Sequence, residues 1–161
     1  MSRVQLALRV TDLEASIAFY SKLFDTEPAK RRPGYANFAI AEPPLKLVLI
    51  EGTANAPTRL DHLGVEVEHT AQVAAATSRL ADEGLPTAVE EATTCCYAVQ
   101  DKVWVTGPGA ERWEVYTVLA DAQLEGQTVM PDGCCTPEGA CAVPQVAEVG
   151  VGVEAEAEAE V

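Results

Sequence analysis

The strongest constraint on the fold is an internal repeat, in which two parts of the chain superpose at an offset of 57 residues. At this offset Gln5 falls on His62, and Val10 falls on Val67. Each part begins with the alternating apolar pattern of a half-buried strand and continues with apolar residues at helical spacing. One such module leaves a sheet face exposed, and two modules bury that face by pairing. The sequence therefore predicts an α+β domain of two βαβββ modules.

The first module is predicted to cover about residues 1–52. Thr11 and Glu14 have the spacing of a capping box, which would begin the helix at Thr11. Residues 25–34 lack a periodic apolar pattern and are interpreted as a connection. The strands of this module are predicted at 4–10, 35–41 and 45–50.

The second module is predicted to cover about residues 60–119, after a linker rich in small residues. Thr70 is the predicted cap of its helix, which Gly84 and Pro86 end. His69, at the helix start, is interpreted as a surface residue. The strands of this module are predicted at 62–67, 87–91, 97–105 and 112–119.

The composition changes after Leu119. The chain has 25 Asp and Glu against 11 Lys and Arg, and nine of the acidic residues but none of the basic ones follow that position. Low aromatic content with unrelieved negative charge predicts a disordered acidic tail over residues 121–161, behind a domain at 1–120. No basic patch suits nucleic acid, which is not an expected partner.

The chain has no apolar run of transmembrane length and no apolar segment at its start that is typical of a signal peptide. We therefore expect a cytoplasmic protein without a membrane partner. In that compartment its five cysteines are expected to serve as ligands or redox groups rather than as structural disulfides.

Two of these thiols, Cys95 and Cys96, are adjacent at the mouth of a predicted strand. Neighbouring side chains of a regular strand point to opposite faces, so two thiols that grip one ligand need a bend. The preceding Thr93-Thr94 permits one. The alternative is a pair of small buried apolar residues, since free Cys is often buried.

Gln5, His62 and Glu114 are candidate metal ligands. His62 and Glu114 supply an imidazole and a carboxylate on strands of the second module, and Gln5 is the repeat partner of His62. Facing modules would place the three around one cavity and leave coordination positions open. Each residue alone has an ordinary structural interpretation, so the hypothesis rests on their joint register.

A resemblance to a known family rests on segments that span about residues 3–119. They are Leu6–Leu13 with Phe19-Tyr20, Asp61–Val65, Gln100–Val105 and Trp113–Tyr116. Together these segments resemble the vicinal oxygen chelate superfamily of glyoxalases and extradiol dioxygenases. The Thr-Cys-Cys-Tyr segment that ends at Tyr97 is further similar to the organoarsenical carbon–arsenic lyases and their cadmium-induced relatives.

The resemblance implies an Fe(II) dioxygenase that cleaves the carbon–arsenic bond of methylarsenite or aromatic trivalent arsenicals and gives arsenite. It places the metal ligands at Gln5, His62 and Glu114, with His62 and Glu114 as the catalytic residues. Cys95 and Cys96 would bind the arsenical. Many superfamily members have His at the first position, so Gln5 departs from that pattern and weakens the ligand set. The expected partners are a small organoarsenical and, in a homodimer, a second copy of the chain.

Other functions fit parts of the same pattern. A cadmium-binding or other soft-metal-binding protein would use vicinal thiols without turnover. A glyoxalase or ring-cleaving enzyme would not need the thiols, and an antibiotic-sequestering module of this fold would not need the metal. The tail thiols Cys134, Cys135 and Cys141 either deliver arsenical to the domain or are spare.

Overall fold

The computed structural model describes residues 2–95 and 97–122, the side chain of Cys95 excepted. The order of its elements confirms an α+β fold with two βαβββ modules. The predictions for Cys96 and for the tail beyond Ala122, with its three cysteines, lie outside the described residues. The elements are β1 (Arg3–Val10), α1 (Leu13–Phe24), β2 (Lys30–Arg32), β3 (Tyr35–Ile40), β4 (Leu45–Glu51), β5 (Arg59–Glu66), α2 (Thr70–Asp82), β6 (Thr87–Cys95), β7 (Ala98–Thr106) and β8 (Arg112–Asp121).

The strands form one eight-stranded sheet in the order β2-β3-β4-β1-β5-β8-β7-β6. Each module has its first strand parallel to its last, as β1 with β4 and β5 with β8. The first strands of the two modules pair antiparallel and join the halves at the centre of the sheet. The repeat is therefore expressed as a pseudo-twofold arrangement about the β1–β5 pair.

Two strand predictions were incomplete. The connection predicted at 25–34 contains β2, a three-residue edge strand of Lys and Arg that pairs with β3. A short charged edge strand has no buried face, so it lacks the apolar alternation that reveals a strand. The strand predicted at 87–91 continues to Cys95 across an irregularity between Glu90 and Thr93, where Ala92 has φ 46°.

Both predicted helix caps were wrong by one residue. Asp12 caps α1 by accepting a hydrogen bond from the backbone N–H of Ala15 at 2.9 Å, whereas the Thr11 hydroxyl donates to the carbonyl of Ala56. A carboxylate accepts more strongly than a hydroxyl and interacts favourably with the helix dipole. Glu14 is not part of a capping box and pairs with Arg31 instead.

The second helix is capped by His69, which is exposed as predicted, and Thr70 is its first helical residue. The side-chain oxygen of Gln72 accepts a hydrogen bond from the backbone N–H of His69 at 3.1 Å. The Thr70 hydroxyl is not available as a cap because it donates to Asp101 at 2.6 Å.

The two helices cover one face of the sheet. Leu13 and Ile17 of α1 are buried in a cluster with residues of β1, β3 and β4, and Val73 and Leu80 of α2 are buried against β7. The apolar burial of each such side chain contributes about 1.5–3 kcal/mol. In the part of the chain that the structure describes, no helix is long and apolar enough to cross a membrane.

The opposite face of the sheet carries an unusual number of buried polar side chains. Because side chains alternate along each strand, the residues of β1 and β5 that do not face the helices are directed to this face. Its buried polar residues include Gln5, Lys46, His62, Lys102 and Glu114.

Candidate metal centre

Gln5, His62 and Glu114 lie on the adjacent strands β1, β5 and β8, and each is no more than 4% exposed. The Nε2 atom of Gln5 donates to Oε1 of Glu114 at 2.7 Å and lies 2.9 Å from Nε2 of His62. The His62 Nε2 atom is 3.4 Å from the same Glu114 oxygen. The structure therefore brings together the three side chains that were singled out from the sequence as ligands.

Gly64 provides the space in which these side chains meet. It lies directly between Gln5 on β1 and Glu114 on β8 in the sheet. A Cβ atom at this position would lie 3.1 Å from Cγ of Glu114 and 3.3 Å from Cβ of Gln5. Sequence reasoning missed this role, although a glycine inside an alternating strand marks a close approach by other groups.

Asp61 and Arg9 orient the imidazole from behind. The Nδ1 atom of His62 lies 2.6 Å from Oδ1 of Asp61, and the Arg9 Nε–H donates to the other oxygen of Asp61 at 2.5 Å. This contact holds a proton on Nδ1 and directs Nε2 toward Gln5 and Glu114. Burial opposes a charge on the ring, but the hydrogen bonds and negative charges of Asp61 and Glu114 outweigh it and raise the pKa of His62.

Lys102 keeps Glu114 ionised. Its ammonium is 3.2 Å from Oε2 of Glu114, and the Lys102 side chain is 2% exposed. Burial raises the pKa of Glu114, but the hydrogen bond with His62 and the charge of Lys102 lower it to about 2. Sequence reasoning did not select Lys102, although its alternation with Gln100 and Trp104 indicated that it shares their sheet face.

The donor types fit a divalent cation that accepts mixed nitrogen and oxygen ligands. One imidazole, one carboxylate and one amide are available, with positions left for other ligands. Within residues 2–95 and 97–122, Oε2 of Glu114 is buried without a hydrogen-bond partner beyond its ion pair. No group of three or more His, Cys, Asp or Glu side chains among those residues has a metal-binding arrangement, so the site depends on the Gln5 amide.

The counterpart of Glu114 in the first module is aliphatic. Glu114 pairs with Gly64 on β8 and β5, and the equivalent pair on β4 and β1 is Val48 with Ala7. Val48 is 4% exposed and packs with Ala7, Tyr35 and Tyr97. The two modules thus contribute unequally to the centre.

Tyr97, which directly follows the two predicted substrate thiols in the sequence, packs against the strand that carries Gln5. Cys95 is the last residue of β6, and β7 begins at Ala98. Tyr97 has a left-handed backbone, with φ 66°, and its buried ring packs in a cluster with Ala7, the strand partner of His62. Tyr97 lies in the short connection between the antiparallel strands β6 and β7, where a left-handed backbone is typical of a tight turn.

A second polar network, formed around Tyr116 and Glu66, contacts Gln5 of the centre. The hydroxyl of Tyr116 lies 2.5 Å from Oε1 of Gln5 and 2.8 Å from Oε2 of Glu66. Glu66 also forms ion pairs with Lys46 and Arg3, each at 2.9 Å. Burial raises the pKa of Glu66, but the charge and hydrogen bond of Lys46 outweigh it and leave that pKa below its ordinary value. Glu66 is therefore a carboxylate at neutral pH.

Glu66→Gln is expected to destabilise the metal-free protein by about 1–3 kcal/mol at neutral pH, because two cations lose their charged partner. The folded-state pKa of Glu66 is depressed, so its contribution is present above pH about 4.5 and is lost as the pH falls through the folded value. The difference in free energy of unfolding between the wild type and the variant should therefore become smaller below that pH. Urea denaturation from pH 7 to pH 3 measures it.

The matched control is Glu14→Gln, which removes a carboxylate from the exposed pair with Arg31. We expect it to change the free energy of unfolding by less than about 1 kcal/mol, because exposed pairs contribute little. A difference in free energy of unfolding between the wild type and Glu66→Gln that stays constant down to pH 3 would contradict the assignment of Glu66 as an ionised carboxylate at neutral pH.

A family model and two relatives match this chain. A family model described as the Glyoxalase/Bleomycin resistance protein/Dioxygenase superfamily matches residues 3–115. The chain is 70% identical over 137 residues to the trivalent organoarsenical cleaving enzyme of Thermomonospora curvata, with 85% of this chain and 90% of the relative covered. It is 67% identical over 126 residues to the cadmium-induced protein CadI of Mycobacterium tuberculosis, with 78% and 82% covered.

A solved structure shares the fold. The Mn(II)-bound glyoxalase of Novosphingobium aromaticivorans has a TM-score of 0.55 and 22% sequence identity, with 76% of this chain and 42% of the other covered. At this identity the likeness concerns the fold alone.

Proposed function

Since this chain belongs to the glyoxalase/bleomycin resistance protein/dioxygenase superfamily, we propose that it cleaves the carbon–arsenic bond of trivalent organoarsenicals with Fe(II) and dioxygen. The predicted resemblance to the superfamily and to its organoarsenical and cadmium-induced branch is confirmed by the family match and both relatives. The Thermomonospora relative is named for cleaving trivalent organoarsenicals. The product proposed here is arsenite.

The observation that carries the proposal is the convergence of Gln5, His62 and Glu114, with Tyr97 packed in a cluster with Ala7, two residues along β1 from Gln5. His62 and Glu114 would hold the metal through Nε2 and a carboxylate oxygen, and Gln5 through its amide oxygen. Bound Fe(II) would supply the redox chemistry that dioxygen requires. The protein residues fix the ligands, and the buried surroundings limit the access of water.

Cys95 and Cys96 are proposed to hold the substrate. Trivalent arsenic is a soft centre, and soft thiolates bind such centres well. In a monoorganoarsenous compound the two thiols replace the two hydroxyl groups as two As–S bonds form, and two waters leave. The As–C bond is then the remaining bond of the arsenic. A free thiol has a pKa of about 8.5, so a modest local decrease gives the thiolate.

The overall reaction balances without an added reductant. Methylarsenite, CH3As(OH)2, with one dioxygen has the same atoms as arsenous acid, As(OH)3, with formaldehyde. The C–As bond breaks, the carbon is oxidised, dioxygen is reduced, and the arsenic stays trivalent. We expect the carbon fragment from methylarsenite to be recovered as formaldehyde.

The direct test is aerobic incubation of the iron-loaded protein with methylarsenite, followed by arsenic speciation. We expect arsenite and formaldehyde in equal amounts, with one dioxygen consumed for each. The same mixture without dioxygen should give neither product. Turnover at the aerobic rate in the absence of dioxygen would remove the dioxygenase step.

A second function is favoured by the relative named a cadmium-induced protein. Vicinal thiols also suit soft divalent metals, so the chain can be considered a soft-metal-binding resistance protein. That function predicts tight stoichiometric binding and unchanged methylarsenite in the same assay. A glyoxalase or ring-cleaving activity predicts turnover of oxygen substrates that persists after the thiols are blocked.

A further inference from the structure

We propose that Tyr116 and Glu66 determine which atom of the Gln5 amide faces the metal centre, so that cation binding is coupled to a half-turn of this amide. The inference rests on the metal site of the proposed function and adds a positioning role for two residues outside the ligand set. It follows from counting the hydrogens in the network that joins Gln5 to Glu66.

The Tyr116 hydroxyl lies between two acceptors. It is 2.5 Å from Oε1 of Gln5 and 2.8 Å from Oε2 of Glu66. A phenol has one hydrogen to donate, and an ionised carboxylate has none. Glu66 is held as a carboxylate by its ion pairs with Lys46 and Arg3. One of the two contacts of Tyr116 therefore brings two oxygens together without a hydrogen between them.

The nitrogen end of the Gln5 amide faces the proposed metal centre. The Gln5 Nε2 atom donates to Glu114 at 2.7 Å and faces Nε2 of His62 at 2.9 Å. The hydrogen bond to Glu114 favours the observed orientation while no cation is bound. An amide nitrogen is a donor and has no lone pair for a cation, so this orientation does not provide the third ligand.

A half-turn of the amide exchanges its nitrogen and oxygen. Nε2 of Gln5 then donates to the Tyr116 oxygen, and the Tyr116 O–H donates to Glu66, so every contact of the network has one hydrogen. The Gln5 oxygen now faces His62 and Glu114. Without a cation it meets the Glu114 carboxylate, which is unfavourable, whereas with a cation both oxygens become ligands.

The two ends of the amide thus prefer different orientations, and a cation decides between them. Tyr116 is 0% exposed, so water does not relieve the unsatisfied contact in the observed orientation. The completed chain from Gln5 through Tyr116 to Glu66 stabilises the orientation that binds metal. Tyr116 is a positioning residue, because it acts on the cation only through Gln5.

Tyr116→Phe keeps the ring and removes the hydroxyl. Anaerobic calorimetric titration of the metal-free protein with Fe(II) should show about tenfold weaker binding, the usual effect of one hydrogen bond in a buried network. In a Gln5→Ala background the same change should have no further effect. Tyr35→Phe is the matched control, because the hydroxyl of this buried tyrosine accepts from Asn37, outside the centre.

Nuclear magnetic resonance tests the half-turn in the wild type, without a variant that must fold. In the metal-free protein we expect contacts between the Gln5 amide protons and the His62 ring. Saturation with Zn(II), a diamagnetic probe, should replace them by contacts with the Tyr116 ring. Amide protons that remain beside His62 in the Zn(II)-saturated protein would overturn the half-turn.

The outcomes separate this inference from the metal site itself. A wild type that binds neither Fe(II) nor Zn(II), or a Gln5→Ala variant that binds as tightly as the wild type, overturns both. Wild-type binding that Gln5→Ala weakens and Tyr116→Phe does not overturns only the role of Tyr116.

Discussion

Replacing either Cys95 or Cys96 by Ser is expected to abolish the degradation of methylarsenite, with a loss of roughly a thousandfold or more. One remaining thiol forms a single As–S bond, and the positioning that comes from closing a chelate ring is lost. The iron content should be unchanged, because the proposed ligands are Gln5, His62 and Glu114. Arsenic speciation and iron analysis of the same preparations measure the two effects separately.

The chain provides its own control for this result in a second vicinal pair. Cys134→Ser combined with Cys135→Ser should leave the rate at saturating methylarsenite unchanged. A delivery role for the tail thiols would lower the rate of this double variant only at low substrate concentration. Full activity in both the Cys95 and the Cys96 variants would sink the assignment of the substrate thiols.

The second large effect is expected for His62→Ala, which should weaken Fe(II) binding by more than about a hundredfold and remove turnover with it. Loss of residues that merely support a ligand costs about 10–100-fold in metal affinity, so loss of a ligand itself should cost more. The thiols are untouched, so binding of methylarsenite without turnover should remain. Anaerobic Fe(II) titration and arsenical binding by the same protein measure both.

His69→Ala is the matched control, since the chain has two histidines and His69 lies exposed at the start of α2. It should retain full iron affinity and turnover. A His62→Ala variant that keeps a full complement of tightly bound iron would refute the ligand assignment.

The repeat was enough to predict which residues of the two first strands meet. Because Gln5 and His62 occupy equivalent positions, antiparallel pairing of those strands brings their side chains together at the centre of the sheet. Glu114 joins them through the parallel pairing of β5 with β8. The ligand candidates and the class of the fold could therefore be predicted from pattern and spacing.

The residues that support the ligands were harder to predict from the sequence, because their roles depend on the register between distant strands. Gly64 supports the centre because it lies between Gln5 and Glu114 in the sheet. Lys102 supports it because its ammonium reaches Glu114. The sequence does not show that the hydroxyl of Tyr116 lies between Gln5 and Glu66. Sequence periodicity indicates the face of a strand but not the partner across it.

The prediction of local structure was wrong at a helix cap and incomplete at an edge strand. Thr11 and Asp12 are both good cap residues, and the sequence does not show that Thr11 is engaged by the distant carbonyl of Ala56. The charged strand β2 pairs at the edge of the sheet without an apolar face. Cys96 and the tail cysteines lie outside the described residues, so their roles stay predictions, as do the cytoplasmic location and the homodimer.

The central β1–β5 pairing has a mechanical consequence. Gln5 belongs to the first module, and His62 and Glu114 belong to the second, so a cation bound at the proposed centre would link the two halves of the sheet. Separation of β1 from β5 would then require release of the cation. At cation concentrations above the dissociation constant, the stabilisation of the paired halves would grow with the logarithm of the cation concentration. The two halves would be held together most firmly when the proposed centre is loaded.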